Sequence, residues 1–227
     1  MSDYKMDAAK AALTQITEGQ TIGLGAGSTI AKLINLIATE CSFAPSLTLI
    51  SSSFSTSNLI LEKGLNLGST HTIKKLDIYF DGCDQFDKEL NALKSGGGIH
   101  TTEKILAAMA LQFILIGDEG KFADQLDLTY PLVIEVLPNA LPFVLSHLNT
   151  NFPDARLNLR MSSQKDGAVI SDHGNLLVDI HFSTLLPLDQ LNTRIRMIPG
   201  VVEHSLFYRM AAKAIIAGPK GIQTITV

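Results

Sequence analysis

Four short apolar runs, each stopping abruptly at small or acidic residues, constrain this chain more than any other feature. Residues 21–24 end at GAGST, 47–50 at SSSFSTS, 76–80 at DGCD and 113–116 at GDEGK. Apolar runs this short, bounded by turn residues, read as strands buried on both faces. Between them lie stretches with apolar residues at helical spacing. Residues 3–16 carry Met6, Ala9, Leu13 and Ile16, residues 28–39 carry Ile30, Leu33, Ile34 and Ile37, and residues 101–111 carry Ile105, Ala108, Met109 and Leu111. Strands alternating with helices predict an α/β fold, a Rossmann-like parallel sheet flanked by helices. In such sheets a ligand sits beyond the carboxyl ends of the strands. The glycines, serines and aspartates collect at those ends.

The pattern changes near Pro131. A strand is expected at 132–136, a helix at 139–148, strands at 156–161 and 168–171, a DHGN turn, a strand at 176–181, a helix at 188–197 and a strand at 201–207. This β-α-β-β-α-β order predicts a smaller ferredoxin-like α+β domain. Two further strands, 214–217 and 222–227, are expected to return to the main sheet. The smaller domain, 129–207, would then be inserted into a catalytic domain made of 1–128 and 208–227.

An apolar fraction of 46% is enough for a core without disulfides, and a net charge of -4 disfavours general binding to nucleic acid or acidic membrane. An anionic ligand must therefore be met locally, by a few cations and backbone N–H groups. Cys41 and Cys83 have neither CxxC nor zinc spacing, and no metal site is expected from the scattered histidines. The N-terminal stretch lacks a secretory apolar region, and no run is long enough to cross a bilayer, so a cytoplasmic location is expected.

The loop GLGAGST (23–29) can bring backbone close to an anion at a helix start, with Ser28 and Thr29 adding hydroxyls. It is equally compatible with a plain serine-capped turn. Ser28 stands where a dinucleotide fingerprint needs glycine, and no P-loop lysine follows, which favours a single phosphate. SSSFSTS (51–57) reads more readily as helix capping than as ligand binding. DGCDQFD (81–87) is a turn signal whose carboxylates could also grip sugar hydroxyls. KSGGGIHTTEK (94–104) holds three consecutive glycines, each costing about 0.5–1 kcal/mol in regular structure, which points to a backbone shape needed for a ligand. Read singly, Lys94 and Lys121 are surface lysines, Glu103 is an acid favouring a helix dipole, and His100 is a loop residue. Cys83 has no neighbouring base and is not expected to act as a nucleophile.

Taken in order, these segments resemble the ribose-5-phosphate isomerase A family along nearly the whole chain. The family's GxGTGST, SSS, DGADE, KGGG and T-x-E-K segments correspond to GLGAGST, SSSFSTS, DGCDQ, KSGGG and TTEK. IEVLPNA, SDHGNLLVDIHF, IPGVVEHSLF and GPKGIQTI also fit. The resemblance implies a cofactor-free aldose-ketose isomerase that interconverts ribose 5-phosphate and ribulose 5-phosphate. It implies Glu103 as the base between C1 and C2, Asp81 and Asp84 as sugar-contacting carboxylates, and Lys94 as the cation at the carbonyl oxygen. Ala26, Gly27, Ser28, Thr29, Gly82, Cys83, Ser95, Gly96, Gly97, Lys121 and Lys5 become substrate-binding positions. A homodimer or dimer of dimers is implied as well. Ala26, Ser95, Gln85 and Cys83 depart from the family's threonine, glycine, glutamate and alanine, which bears on affinity and loop geometry. Two other readings keep the phosphate chemistry: a non-catalytic sugar-phosphate sensor on the same scaffold, and an amino-sugar phosphate deaminase.

Overall fold

A computed structural model of the chain describes residues 3–227. Helix α1 (Tyr4–Leu13) starts at Asp3, whose carboxylate accepts the Met6 N–H at 3.1 Å, and buries Ala8, Ala9 and Ala12. Strand β1 (Thr21–Leu24), helix α2 (Ser28–Glu40), strand β2 (Thr48–Ser51), helix α3 (Phe54–Glu62) and strand β3 (Leu76–Asp81) follow. Next come the two-residue strands β4 (Gln85–Phe86) and β5 (Ala92–Leu93), helix α4 (His100–Met109) and strand β6 (Ala110–Asp118). The second half comprises β7 (Leu132–Val136), α5 (Leu141–Asn151), β8 (Arg156–Leu159), β9 (Leu176–His181), α6 (Leu188–Arg196), β10 (Val201–His204), β11 (Leu206–Phe207), β12 (Lys213–Gly218) and β13 (Gly221–Thr226).

The six-stranded sheet has the order β13-β12-β6-β3-β1-β2, parallel except for β13, which folds back antiparallel on β12. From β1 the chain goes to β2 on one side and then to β3 on the other. That reversal leaves a crevice between β1 and β3 at their carboxyl ends, between the loop after Leu24 and the loop after Asp81. The expected face of α2 is buried at Ile30, Leu33, Ile34 and Ile37.

Strands β7 to β10 form a separate antiparallel sheet, β10-β7-β9-β8, which with α5 and α6 gives the expected β-α-β-β-α-β order. Its apolar cluster includes Leu132, Ile134, Val144, Leu148, Val178, Ile180, Leu191 and Ile195. A third small sheet, β11-β5-β4, lies between the two.

Several expectations need correction. The strand expected at 168–171 makes only single bridges, Met161 to Ala168 and Ile170 to Leu176. Gly167 stands before it at φ +110, and the run's backbone pairs only in scattered contacts, Val169 N to the Arg160 carbonyl and Ser171 N to the Asn175 carbonyl, each at 2.8 Å. The run 201–207 is two strands. At Ser205 the backbone N–H donates to Val133 and the carbonyl accepts from Lys94, so the chain changes sheets there. His100 is no loop residue: it opens α4 and is buried, within 3.3 Å of the Glu203 carbonyl. The capping reading of SSSFSTS agrees with the structure, where Ser53 accepts the Thr56 N–H and caps α3.

Candidate active site

The crevice is a cleft of about 330 Å³. On one side lies the turn from β1 into α2. Gly25 is required there, because a Cβ on it would sit 1.9 Å from the Asp81 carboxyl carbon. Gly27 adopts φ +98, a conformation that side chains strain, and caps α2 without a side-chain acceptor. The first N–H groups of α2 thus face the cleft, as an anion needs. Lys5 from α1 donates to the Ser28 hydroxyl at 3.1 Å. Lys121, in the turn after β6, lines the same cleft with Gly117 and Asp118.

Behind this turn, Asp81 ends β3 and is almost fully buried. Its Oδ1 accepts the N–H groups of Gly82 (2.7 Å) and Ala26 (3.2 Å), and its Oδ2 accepts the Tyr79 hydroxyl at 2.5 Å. The Lys94 ammonium lies 2.8 Å from the same oxygen. A tight turn stapled by Asp87, whose carboxylate accepts Glu89 N, Asn91 N and Asn91 Nδ2, joins β4 to β5 and delivers Lys94 to this spot. Lys94 also donates to the Gly82 carbonyl at 2.5 Å and reaches Glu103 Oε1 at 3.3 Å. Asp84 faces the cleft, and its Oδ2 accepts the N–H groups of Ser95 (2.6 Å) and Gly96 (3.0 Å).

Glu103 sits in the first turn of α4, buried yet lining the cleft. A helix dipole would hold its carboxyl low. Burial is the larger effect, and with the Asp81 charge it pushes Glu103 up to about 8 against the pull of Lys94. Burial works against the Lys94 ammonium, but Asp81 and Glu103 outweigh it and hold this lysine above its usual value. Burial pushes the Cys83 thiol up to about 12, which removes the thiolate a nucleophile needs. The site therefore offers a poised carboxylate, a fixed cation beside it, and an anion-ready helix start in one cleft.

A family model described as ribose 5-phosphate isomerase A (phosphoriboisomerase A) matches residues 48–221. The chain belongs to the ribose-5-phosphate isomerase A family. Ribose-5-phosphate isomerase A of Rhizobium meliloti is 36% identical over 226 residues, covering 98% of this chain and 96% of its own. Among solved structures, a D-ribose-5-phosphate isomerase in complex with phospho-erythronic acid superposes with a TM-score of 0.92 at 32% identity, covering all of both chains. The Methanocaldococcus jannaschii ribose 5-phosphate isomerase A superposes with a TM-score of 0.90, also at 32% identity, covering 99% of each chain.

In this family member the fold brings together nearly all the positions singled out from sequence. Lys5, Ala26, Gly27, Ser28, Thr29, Gly82, Cys83, Asp84, Lys94, Gly96, Gly97, Glu103 and Lys121 line one cleft. Asp81 and Ser95 stand just behind its wall, Asp81 under the Gly25 turn and Ser95 with its hydroxyl on the Pro131 carbonyl at 2.5 Å. The SSSFSTS segment supports the turn from outside, with Thr56 Oγ1 donating to the Gly25 carbonyl at 2.9 Å. Sequence reading missed Tyr79, hidden in an apolar strand two residues before Asp81, where its side chain lies on the same face. It also missed Arg160, which no motif marks.

Proposed function

We infer that Glu103 is the base with which this chain, a ribose-5-phosphate isomerase, moves a proton between C1 and C2 of its substrate. In the open-chain aldose, Glu103 takes the C2 proton. The C–H electrons form a C1–C2 double bond and the carbonyl electrons pass to O1. The C2 hydroxyl proton passes to O1 as O2 becomes the carbonyl, and Glu103 returns its own proton to C1, yielding the ketose with its C1 hydroxyl. Lys94 stabilises the enediolate oxygen as charge develops. Asp84 and Asp81 contact sugar hydroxyls and assist ring opening and hydroxyl proton transfer. Ser28, Thr29, Lys5 and Lys121 meet the phosphate, and the Gly82–Cys83 and Ser95–Gly97 backbones shape the sugar pocket.

The observation that carries this reading is the placement of Glu103, a cleft-lining carboxylate pushed up to about 8 beside a fixed ammonium at 3.3 Å. A base with a value near the working pH combines ionisation with proton affinity. A sensor that only binds has no use for such a group. Glu103→Gln is expected to lower kcat by about 10²–10⁴-fold with KM changed little. Near-parental turnover of ribose 5-phosphate by that variant would remove the assignment.

The division into 1–128 plus 208–227 and an inserted 129–207 remains our reading, supported by the separate apolar cluster of the antiparallel layer. A homodimer or dimer of dimers and a cytoplasmic location are inferred from the family. Sedimentation equilibrium and cell fractionation test them.

A further inference from the structure

The glycine loop is gripped from both sides. Toward the cleft, Ser95 N and Gly96 N donate to Asp84 Oδ2 at 2.6 and 3.0 Å. From the other side the guanidinium of Arg160, just past β8, donates to the carbonyls of the same two residues. Its Nη2 meets Ser95 O at 2.8 Å and its Nη1 meets Gly96 O at 3.1 Å. Arg160 is aimed by Asp179 on the neighbouring strand β9, with Nε 3.1 Å and Nη2 2.5 Å from Asp179 Oδ1. Both side chains are about four-fifths buried, at 19% and 20% exposure, so the pair is partly shielded from solvent screening. The guanidinium fork suits this geometry, with rigid donors serving a carboxylate and two carbonyls in one plane. Two residues further on, Gly98 at φ +71 packs so closely that an added Cβ would lie 2.6 Å from Leu177 Cδ1.

We propose that Arg160, aimed by Asp179, is a positioning residue for the isomerase reaction: it fixes the Ser95–Gly96 peptide so that its amides hold Asp84 against the sugar. The proposal rests on the reading of Asp84 as a sugar-contacting carboxylate. Arg160 itself is not among the residues lining the cleft, so its effect must pass through the loop. Without it the loop carbonyls lose two hydrogen bonds and the Asp84 carboxylate loses a fixed pair of donors. Sub-ångström order in such groups is worth about 10²-fold in rate.

The test is a double-mutant cycle on the full chain, assayed by steady-state conversion of ribose 5-phosphate, with folded fraction measured by circular dichroism. Arg160→Ala is expected to raise KM and lower kcat/KM by about 10²-fold. Arg160→Lys, whose single ammonium cannot span the three partners, is expected to recover only part of the loss. Should Arg160→Ala not fold, Arg160→Lys carries the cycle. In an Asp84→Asn background the Arg160 change is expected to cost less than about threefold more, since the two act through one loop. Parental kcat/KM in Arg160→Lys or Arg160→Ala overturns the proposal, as does the same fold-loss in both backgrounds. A fall in kcat that merely tracks folded fraction with KM unchanged also overturns it. Parental kinetics in Asp84→Asn alone would instead strike the reading of Asp84, a separate result.

Discussion

Replacing Glu103 with glutamine should make the folded chain more stable as pH rises while it destroys turnover. Glu103 and Asp81 share a single ammonium, with Lys94 2.8 Å from Asp81 and 3.3 Å from Glu103. The buried cluster therefore carries one negative charge too many. Moving a carboxyl from 4.5 to about 8 penalises the charged form by about 5 kcal/mol at 1.36 kcal/mol per pH. The folded value lies above the unfolded one, so the folded state binds the extra proton between these limits. The contribution of this group to stability is whole below 4.5 and is lost as pH climbs to about 8. A glutamine keeps the shape and cannot ionise. The stability difference between Glu103→Gln and the parent should thus grow by about 1.4 kcal/mol per pH between those values and level off above. Any fixed cost of fitting the amide displaces the whole curve and leaves its slope. Urea unfolding at pH 5.5, 6.5, 7.5 and 8.5 measures it, with a gain of about 3 kcal/mol expected between the first and third points. For a chain of this size each 1 kcal/mol moves Tm by about 2–4 °C, so thermal scans should agree. A difference that stays constant across the range would refute the claim that burial of this charge governs Glu103.

Three further outcomes follow from the same geometry. The kcat/KM of the parent enzyme should rise with pH through about 8, because the free enzyme must hold Glu103 ionised, and a flat profile from pH 6 to 9 would contradict this. Gly25→Ala should cost about 1–3 kcal/mol of stability and most of the activity, since the new Cβ would fall 1.9 Å from the Asp81 carboxyl carbon; Tm and turnover together check it. Lys5→Ala should raise KM severalfold with kcat near parental, and the effect should shrink in about 0.5 M salt, where exposed charges are screened.

The parallel strands of the main sheet are legible in sequence because they are largely buried and end in residues that cannot be mistaken for strand interior. Leu24 gives way to GAGST and Phe80 to DGCD, and those ends are the cleft. Glycine at position 25 looks like ordinary turn chemistry from sequence. Only the structure shows that it makes room for Asp81. Strands β4 and β5, two residues each, are too short for any period to register. Helix α3 hides because its exposed Phe54 and its serines blur the apolar stripe. The balance at Glu103 was also out of reach. A first-turn position speaks for a lowered value, and only the three-dimensional burial beside Asp81 reverses the sign.

The placement of Glu103, the proposed base, depends on the antiparallel layer as much as on the main sheet. Thr101 donates to Glu135 of β7, and that carboxylate also accepts Ser171 Oγ at 2.6 Å and Asn175 Nδ2 at 2.8 Å. Lys104 donates to Glu203 Oε1 at 2.9 Å and to the His204 carbonyl at 2.6 Å, both on β10. Burial pulls Lys104 down to about 8, so its charge at neutral pH relies on Glu203 beside it. Glu103 thus rides on a helical turn tied, two residues before it and one after, to a sheet that contributes nothing to the Gly25–Thr29 turn. On the proposed reading, the first sheet meets the phosphate and Glu103, anchored to the second, moves the proton. The distance between them is a property of how the two layers pack. A displacement of ~1 Å is enough to cost about 10²-fold in rate, which gives a physical reason for burying carboxylates as expensive as Glu135 and Glu203 under the helix that carries Glu103.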